Sequence, residues 1–160
     1  MTKVDDFNKF DFFNAFSKDQ LADIGKVTEK KTFKKGSEIY KEGDRANHIY
    51  LVTKGWVSLR KIDPEKDIGI SFENRGRGEL FGTACFMKPQ EYTLTAICME
   101  DSEVLMMGAD KLFDLFQKDY QIGYLFLKEI AKVYFDRYKS VKRQLYEMVK
   151  APSIITALPG

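Results

Sequence analysis

A series of short, β-rich runs separated by turn residues occupies the middle of the chain and constrains the fold more than any other feature. The predicted strands cover residues 27–33, 38–40, 49–53, 56–62, 68–73, 93–99 and 103–107. Each run carries β-branched or aromatic residues, and glycine or Asp63-Pro64 stands between most of them. Such spacing favours an all-β sandwich, jelly roll or barrel. Lys54-Gly55, between two of the runs, predicts a tight hairpin.

Helical signals precede the β-rich region. Ser17-Lys18-Asp19-Gln20 has the form of a capping box and predicts the start of a short helix that ends at Gly25. Phenylalanines crowd just ahead of it: Phe7, Phe10, Phe12, Phe13 and Phe16. They are too many to leave in water, so we expect a helical N-terminal arm packed against the main body.

After the last predicted strand the apolar period becomes helical, with a long helix expected over residues 119–149. Its apolar residues recur at steps of three, four or seven: Leu127, Ile130, Tyr134, Val141, Leu145 and Met148. About 30 residues span roughly 45 Å, which is more than a domain of this size can bury along its whole length. We therefore expect a homodimer through this helix.

These patterns divide the chain into an N-terminal helical arm (1–26), a β domain (27–108), C-terminal helices (109–150) and a tail (151–160). A length of 160 residues fits one such domain with an extension. A separate DNA-reading module would need roughly another domain of chain. DNA binding by this chain alone is therefore not expected.

Composition disfavours several functional classes. One histidine, two widely spaced cysteines and no nucleophile elbow, Walker loop or paired carboxylates predict neither an enzyme nor a metal site. The net charge of +2 does not indicate nucleic acid. The sequence has neither an apolar run long enough to span a membrane nor a secretory signal, so we expect a cytoplasmic protein with no membrane contact. His48, Arg75 and Arg77 are expected to be exposed, although the two arginines could instead hold an anion from the side. Cys85 and Cys98 are expected to be buried thiols.

One stretch carries a resemblance to a known family. It is Gly78-Glu79-Leu80-Phe81-Gly82-Thr83-Ala84-Cys85-Phe86, followed by Tyr92-Thr93-Leu94-Thr95-Ala96. It resembles the phosphate-binding cassette of the cyclic-nucleotide-binding domain superfamily, which includes the effector domain of catabolite-activator-type regulators. The resemblance to this superfamily extends upstream of the cassette, among other segments to Tyr40-x-Glu42-Gly43-Asp44 and Ile49-Tyr50-Leu51-Val52. The resemblance implies a mainly β fold, a jelly-roll-like β-roll with an N-terminal helical arm and a long C-terminal dimerisation helix.

The resemblance also implies a ligand site in this stretch. Its candidate residues are Gly78, Glu79, Leu80, Phe81, Gly82, Thr83, Ala84, Tyr92, Thr93 and Thr95. In members that bind cyclic nucleotides, a Glu directly after Phe-Gly contacts the ribose, and an Arg nine residues later pairs with the phosphate. Here those positions hold Thr83 and Tyr92. We therefore expect a regulatory sensor domain for signal transduction with altered ligand specificity.

Three interpretations of the altered pocket stay open. Backbone amides and threonine hydroxyls could hold a nucleotide or similar anion. The pocket could instead take another small effector, aromatic or polar, against Tyr92. Alternatively, Tyr92 and its neighbours fill the cavity, and the domain is a ligand-free scaffold for dimerisation or partner docking. A truncated transcription regulator of the catabolite activator type is a further alternative, and no cofactor is expected.

Overall fold

Two four-stranded antiparallel sheets form the body of the protein in a computed structural model that describes residues 2–66 and 68–150. The first sheet has the order β1 (Thr28–Phe33), β8 (Ser102–Gly108), β3 (His48–Lys54) and β6 (Leu80–Phe81). The second has the order β2 (Glu38–Tyr40), β7 (Thr95–Cys98), β4 (Val57–Asp63) and β5 (Ile68–Arg75). The mainly β fold is confirmed, and each predicted strand has a counterpart. The two-residue strand β6 is additional.

The expected hairpin at Gly55 is wrong. Strand β3 pairs with β6 and β8, whereas β4 pairs with β5 and β7, so the chain changes sheets at this turn. Gly55 has a φ of 92°, and a Cβ there would lie 2.4 Å from the Ser102 hydroxyl oxygen. The same hydroxyl accepts a hydrogen bond from the Trp56 amide at 3.2 Å. The turn thus packs against the end of β8 instead of joining two paired strands.

The core lies between the two sheets and also on the outer side of the first one. Residues 49–52 of β3 are all buried, although side chains of a strand alternate between faces. Both faces of β3 are therefore covered. Helix α2 (Lys18–Lys26) contacts β1, and helix α3 (Ala109–Lys118) contacts β8.

The N-terminal arm comprises helix α1 (Val4–Phe7), a 3₁₀ helix (Asp11–Phe13) and α2. All five of its phenylalanines are buried, and Phe7 and Phe12 approach the Phe13 ring edge-on at 4.6 and 4.9 Å. The Ser17 capping box is confirmed, because Ser17 and Gln20 exchange side-chain to backbone hydrogen bonds.

Helix α2 continues one residue past Gly25, so the expectation that this glycine ends the helix is wrong. A Cβ at Gly25 would lie 2.4 Å from the Thr2 carbonyl oxygen. The Thr2 amide also donates to the Gly25 carbonyl at 3.2 Å. The glycine therefore permits close packing of the N-terminal segment on the helix.

The chain divides into two compact units, residues 1–123 and 124–160. Helix α4 (Tyr120–Val149) begins in the first unit and forms the described part of the second. Of the six residues in the predicted heptad pattern, Ile130 is buried, and the other five are exposed: Leu127, Tyr134, Val141, Leu145 and Met148. Among residues 2–66 and 68–150, no helix is long and apolar enough to cross a membrane. The predicted tail at 151–160 lies outside the described residues.

Candidate functional site

The predicted cassette contains the edge strand of the first sheet, β6. Strand β6 pairs through Leu80 and Phe81 with Leu51 and Tyr50 of β3, and the chain then turns at Gly82 into a 3₁₀ helix, Thr83–Phe86. Six of the ten candidate residues are buried: Leu80, Phe81, Gly82, Thr83, Tyr92 and Thr95. Glu79 and Thr93 are exposed, whereas Gly78 and Ala84 are half-buried. The cassette therefore presents mainly buried side chains to the interior of the roll.

The interior beside the cassette is filled by a cluster of four aromatic rings, which we call the aromatic cluster: Tyr40, Tyr50, Phe81 and Tyr92. The Tyr92 ring lies parallel to that of Tyr40, with centroids 3.6 Å apart and planes at 11°. Tyr50 stacks on Phe81 at 4.9 Å, and Tyr40 lies 5.8 Å from Tyr50. The cluster joins β2, β3, β6 and the segment before β7, so it ties the two sheets together.

Tyr92 is held at both ends of its side chain. Its hydroxyl donates to the His48 carbonyl at 2.8 Å and accepts from the His48 amide at 3.2 Å. Its own amide donates to the Asp44 carbonyl at 2.9 Å, and its carbonyl accepts from the Gly43 amide at 2.8 Å. Only 4% of the residue is exposed. Tyr92 therefore occupies the interior with its hydrogen-bonding groups satisfied.

Gly82 provides the room for this arrangement. Its φ is 78°, which glycine adopts without the steric cost of a side chain. A Cβ at this position would lie 3.0 Å from both the His48 carbonyl oxygen and the Tyr50 ring. The sequence indicates a close approach of some group to Gly82. In the structure, the groups that approach Gly82 are the His48 carbonyl, which accepts the hydrogen bond of the Tyr92 hydroxyl, and the Tyr50 ring.

Burial makes this interior unfavourable for negative charge. It raises the pKa of Cys85 to about 12, and burial also raises the pKa values of Tyr50 and Tyr92. Both cysteines are free thiols and buried, as predicted. Among residues 2–66 and 68–150, His, Cys, Asp and Glu side chains form no group of three or more that could hold a metal ion. The surroundings of Tyr92 therefore suit neutral groups.

The arginines near the cassette serve the protein's own packing. Arg75 is only 6% exposed, so the expectation of a surface arginine is wrong. Its guanidinium donates to the Leu80 carbonyl at 3.1 Å and the Asn74 carbonyl at 2.7 Å, and pairs with the Glu73 carboxylate. Arg77 lies over the Phe10 ring at 5.0 Å. Arg75 thus fixes the start of β6, and Arg77 packs on the N-terminal arm.

Sequence reasoning missed two partners of Tyr92 that only the fold brings together. Tyr40 and the His48 backbone lie 52 and 44 positions before it. The aromatic residues on β2 and β3 were a visible signal, but a strand does not reveal which side chain of the opposite sheet it meets. His48 itself is half-buried rather than fully exposed, and burial lowers its pKa.

The two-sheet roll, the glycine turn and the short helix after β6 define a domain of the cyclic-nucleotide-binding type. The family model described as "Cyclic nucleotide-binding domain" matches residues 30–119, and the chain belongs to this family. The catabolite-activator-like architecture expected from the sequence is confirmed.

Individual relatives are distant. The chain is 30% identical over 82 residues to the cAMP-dependent protein kinase regulatory subunit of Debaryomyces hansenii. The aligned segment covers 51% of this chain and 17% of that protein. A cyclic nucleotide-binding protein from Geobacter metallireducens has a similar structure, with a TM-score of 0.75 and 24% identity over 86% of this chain and 99% of that one. The Thermus thermophilus catabolite activator protein gives a TM-score of 0.69 at 20% identity, covering 86% and 62% of the two chains. The structural similarities show the fold.

Tyr92→Phe removes the hydroxyl and leaves the His48 amide and carbonyl without that partner. We expect a loss of about 1–3 kcal/mol in the free energy of unfolding, the cost of unsatisfied buried polar groups. Urea denaturation measures it. Tyr120→Phe is the matched control, because Tyr120 is 81% exposed, and its effect should stay within about 0.5 kcal/mol. Equal stability of the two variants would contradict the role of the Tyr92 hydroxyl.

Gly82→Ala tests the close approach at the cassette turn. Gly36→Ala is the control, since Gly36 has a similar φ of 83° but no neighbour within 4 Å of a Cβ. The control should lose about 1–2 kcal/mol of unfolding free energy from the left-handed backbone alone. Gly82→Ala should lose clearly more, because His48 and Tyr50 must also shift. Urea denaturation compares them, and equal losses would exclude a steric role for the cassette contact.

Proposed function

We propose that this chain is a regulatory sensor domain for signal transduction whose ligand specificity is altered, so that cyclic AMP is not its effector. One observation carries the proposal: the position at which the family places its phosphate-binding arginine holds Tyr92, buried, stacked on Tyr40 and bonded to His48. Membership of a regulatory family supports the sensor role.

The chemistry that recognises a cyclic nucleotide is replaced at two positions. Thr83 brings a hydroxyl where the family's carboxylate accepts bonds from the ribose, so the charged acceptor is lost. Tyr92 brings a neutral phenol where a guanidinium pairs with the phosphate. Removing one partner of a buried charge pair commonly costs about 2–5 kcal/mol, a factor of about 30 or more in affinity.

The Tyr92 ring also occupies the space that a nucleotide would need. To admit a ligand at the position of the Tyr92 ring, the side chain has to leave Tyr40 and give up both hydrogen bonds to His48. The buried phosphate would then lie in surroundings that already raise the pKa of the Cys85 thiol to about 12. An anion without a paired cation is disfavoured there.

Thermal-shift and calorimetric titrations with cyclic AMP and cyclic GMP test the specificity directly. We expect no saturable stabilisation of the natural chain at about 100 μM, because a ligand stabilises only by RT ln(1 + [L]/Kd). The double variant Thr83→Glu/Tyr92→Arg restores both family side chains and should gain cyclic AMP binding by about tenfold or more.

One control and two possible outcomes bear on this experiment. Tyr120→Arg adds the same side chain at an exposed site and should leave cyclic AMP binding unchanged. Micromolar binding of cyclic AMP to the natural chain would overturn the proposal. A double variant that folds but binds no better than the natural chain would show that these two positions do not determine the specificity.

A second function, dimerisation, is favoured by the exposed residues of α4. Leu127, Val141 and Leu145 expose apolar side chains along the second unit, and Tyr134 and Met148 continue the same pattern. Spacings of three, four and seven residues place them on one stripe of the helix, as in a coiled-coil seam. We propose that two copies associate through this stripe, in keeping with a regulatory domain or a ligand-free scaffold.

Leu145→Glu tests the association, because it introduces a charge into the proposed seam. We expect sedimentation velocity to show a dimer for the natural chain and a monomer for this variant. Gln144→Glu adds the same charge at the neighbouring exposed position, about 100° away around the helix, and should remain dimeric. A monomeric natural chain at high protein concentration would rule out the proposed dimer.

A further inference from the structure

We propose that the interior slot between the Tyr40 ring and the His48 backbone is a binding site for a neutral hydroxylated aromatic group, filled in this chain by its own Tyr92. The inference rests on the proposed function, in which Tyr92 replaces the phosphate-binding arginine, and it names the chemistry of the group that occupies the altered pocket. It is carried by the geometry around the Tyr92 side chain.

The polar end of the slot is made by an interruption of the first sheet. Strand β6 pairs only with Tyr50 and Leu51 of β3, and the chain leaves the ladder at Gly82. The His48 amide and carbonyl are bonded to the Tyr92 hydroxyl. The Tyr92 hydroxyl, which both donates and accepts, thus makes the two hydrogen bonds that a longer β6 would make with His48. An ammonium lacks an acceptor and an ionised carboxylate lacks a donor, so the end favours an –OH group over either charged group.

The apolar part of the slot selects a flat ring. Tyr40 covers one face of the occupant at 3.6 Å with nearly parallel planes, and the Tyr50 ring lies 5.8 Å from that of Tyr40. Stacked rings of this kind add about 0.5–1.5 kcal/mol to the gain from burial. A ring of phenol size with its hydroxyl opposite the attachment point satisfies both ends at once.

The occupant has to be neutral. Burial raises the pKa values of Tyr50 and Tyr92 themselves, and that of Cys85 to about 12, so the slot opposes formation of a phenolate or thiolate. Arg75, the buried cation next to the cassette, already bonds the Leu80 and Asn74 carbonyls and pairs with Glu73. A phenol is thus favoured over a phosphate or carboxylate of the same size.

Tyr92→Ala in the full chain opens the slot, and 4-methylphenol, the free equivalent of the tyrosine side chain, is the probe. Cavities that replace a buried ring can bind a molecule of the missing shape. We expect the melting temperature of the variant to fall by several degrees and to rise again saturably with 4-methylphenol in about the millimolar range. Toluene, which lacks the hydroxyl, should recover less because it leaves the His48 groups without a partner.

Matched controls separate this response from general effects of the probe. Tyr120→Ala removes the same side chain from an exposed position, and neither it nor the natural chain should respond to 4-methylphenol. Equal shifts in all three proteins, no shift in any, or an equal response to toluene would overturn the proposal. If Tyr92→Ala shows no cooperative transition alone, recovery of that transition on refolding with 4-methylphenol supports the proposal, and failure to recover it overturns it.

Cyclic AMP added to the same variant distinguishes the two proposals. If the variant binds 4-methylphenol and not cyclic AMP, both stand. If it binds cyclic AMP and not 4-methylphenol, Tyr92 still determines the altered specificity, and the aromatic slot is refuted. Cyclic AMP binding by the natural chain would instead refute the proposed function, whatever the response to 4-methylphenol.

Discussion

The architecture depends on how the backbone of β3 is satisfied where its shorter neighbour ends. Strand β3 is buried on both faces, so each of its amides and carbonyls needs a partner. Strand β8 supplies partners along one side, while β6 supplies only two residues on the other. The hydroxyl of Tyr92 completes the pairing at His48. A side chain from the segment before β7 thereby links the two sheets at the place where the ladder stops.

Much of the fold follows from local patterns in the sequence. The strand runs, the Ser17 capping box and the long helix are confirmed, because each depends on neighbouring residues. The errors have a common origin in contacts between distant segments. In the sequence, Gly55 indicates a hairpin turn and Gly25 a helix end. The residues that pack against them, Ser102 and Thr2 respectively, come from distant parts of the chain. No local signal distinguishes these roles.

The candidate site likewise has features that local sequence predicts and contacts that only the tertiary fold reveals. Motif spacing alone locates the cassette turn and the two substituted positions, Thr83 and Tyr92. The stacking of Tyr92 on Tyr40 and its bonds to His48 required the register of both sheets. Buried Arg75 shows the reverse problem, since an arginine beside glycines suggests an exposed loop until its carbonyl partners are seen. The glycine turn was therefore predictable from the sequence, whereas the directions of the side chains beside it were not.

The anchored ring of Tyr92 has a consequence for how such a domain could be regulated. A diffusing effector occupies its site according to its concentration, and the protein spends time in both states. A group that belongs to the chain is present at a high, fixed effective concentration and loses little further freedom on docking. Under the proposal that Tyr92 fills the slot, dilution cannot empty it. A change in the conformation of the domain would then require a group that displaces the Tyr92 side chain, or an event at another surface, such as the exposed residues of α4.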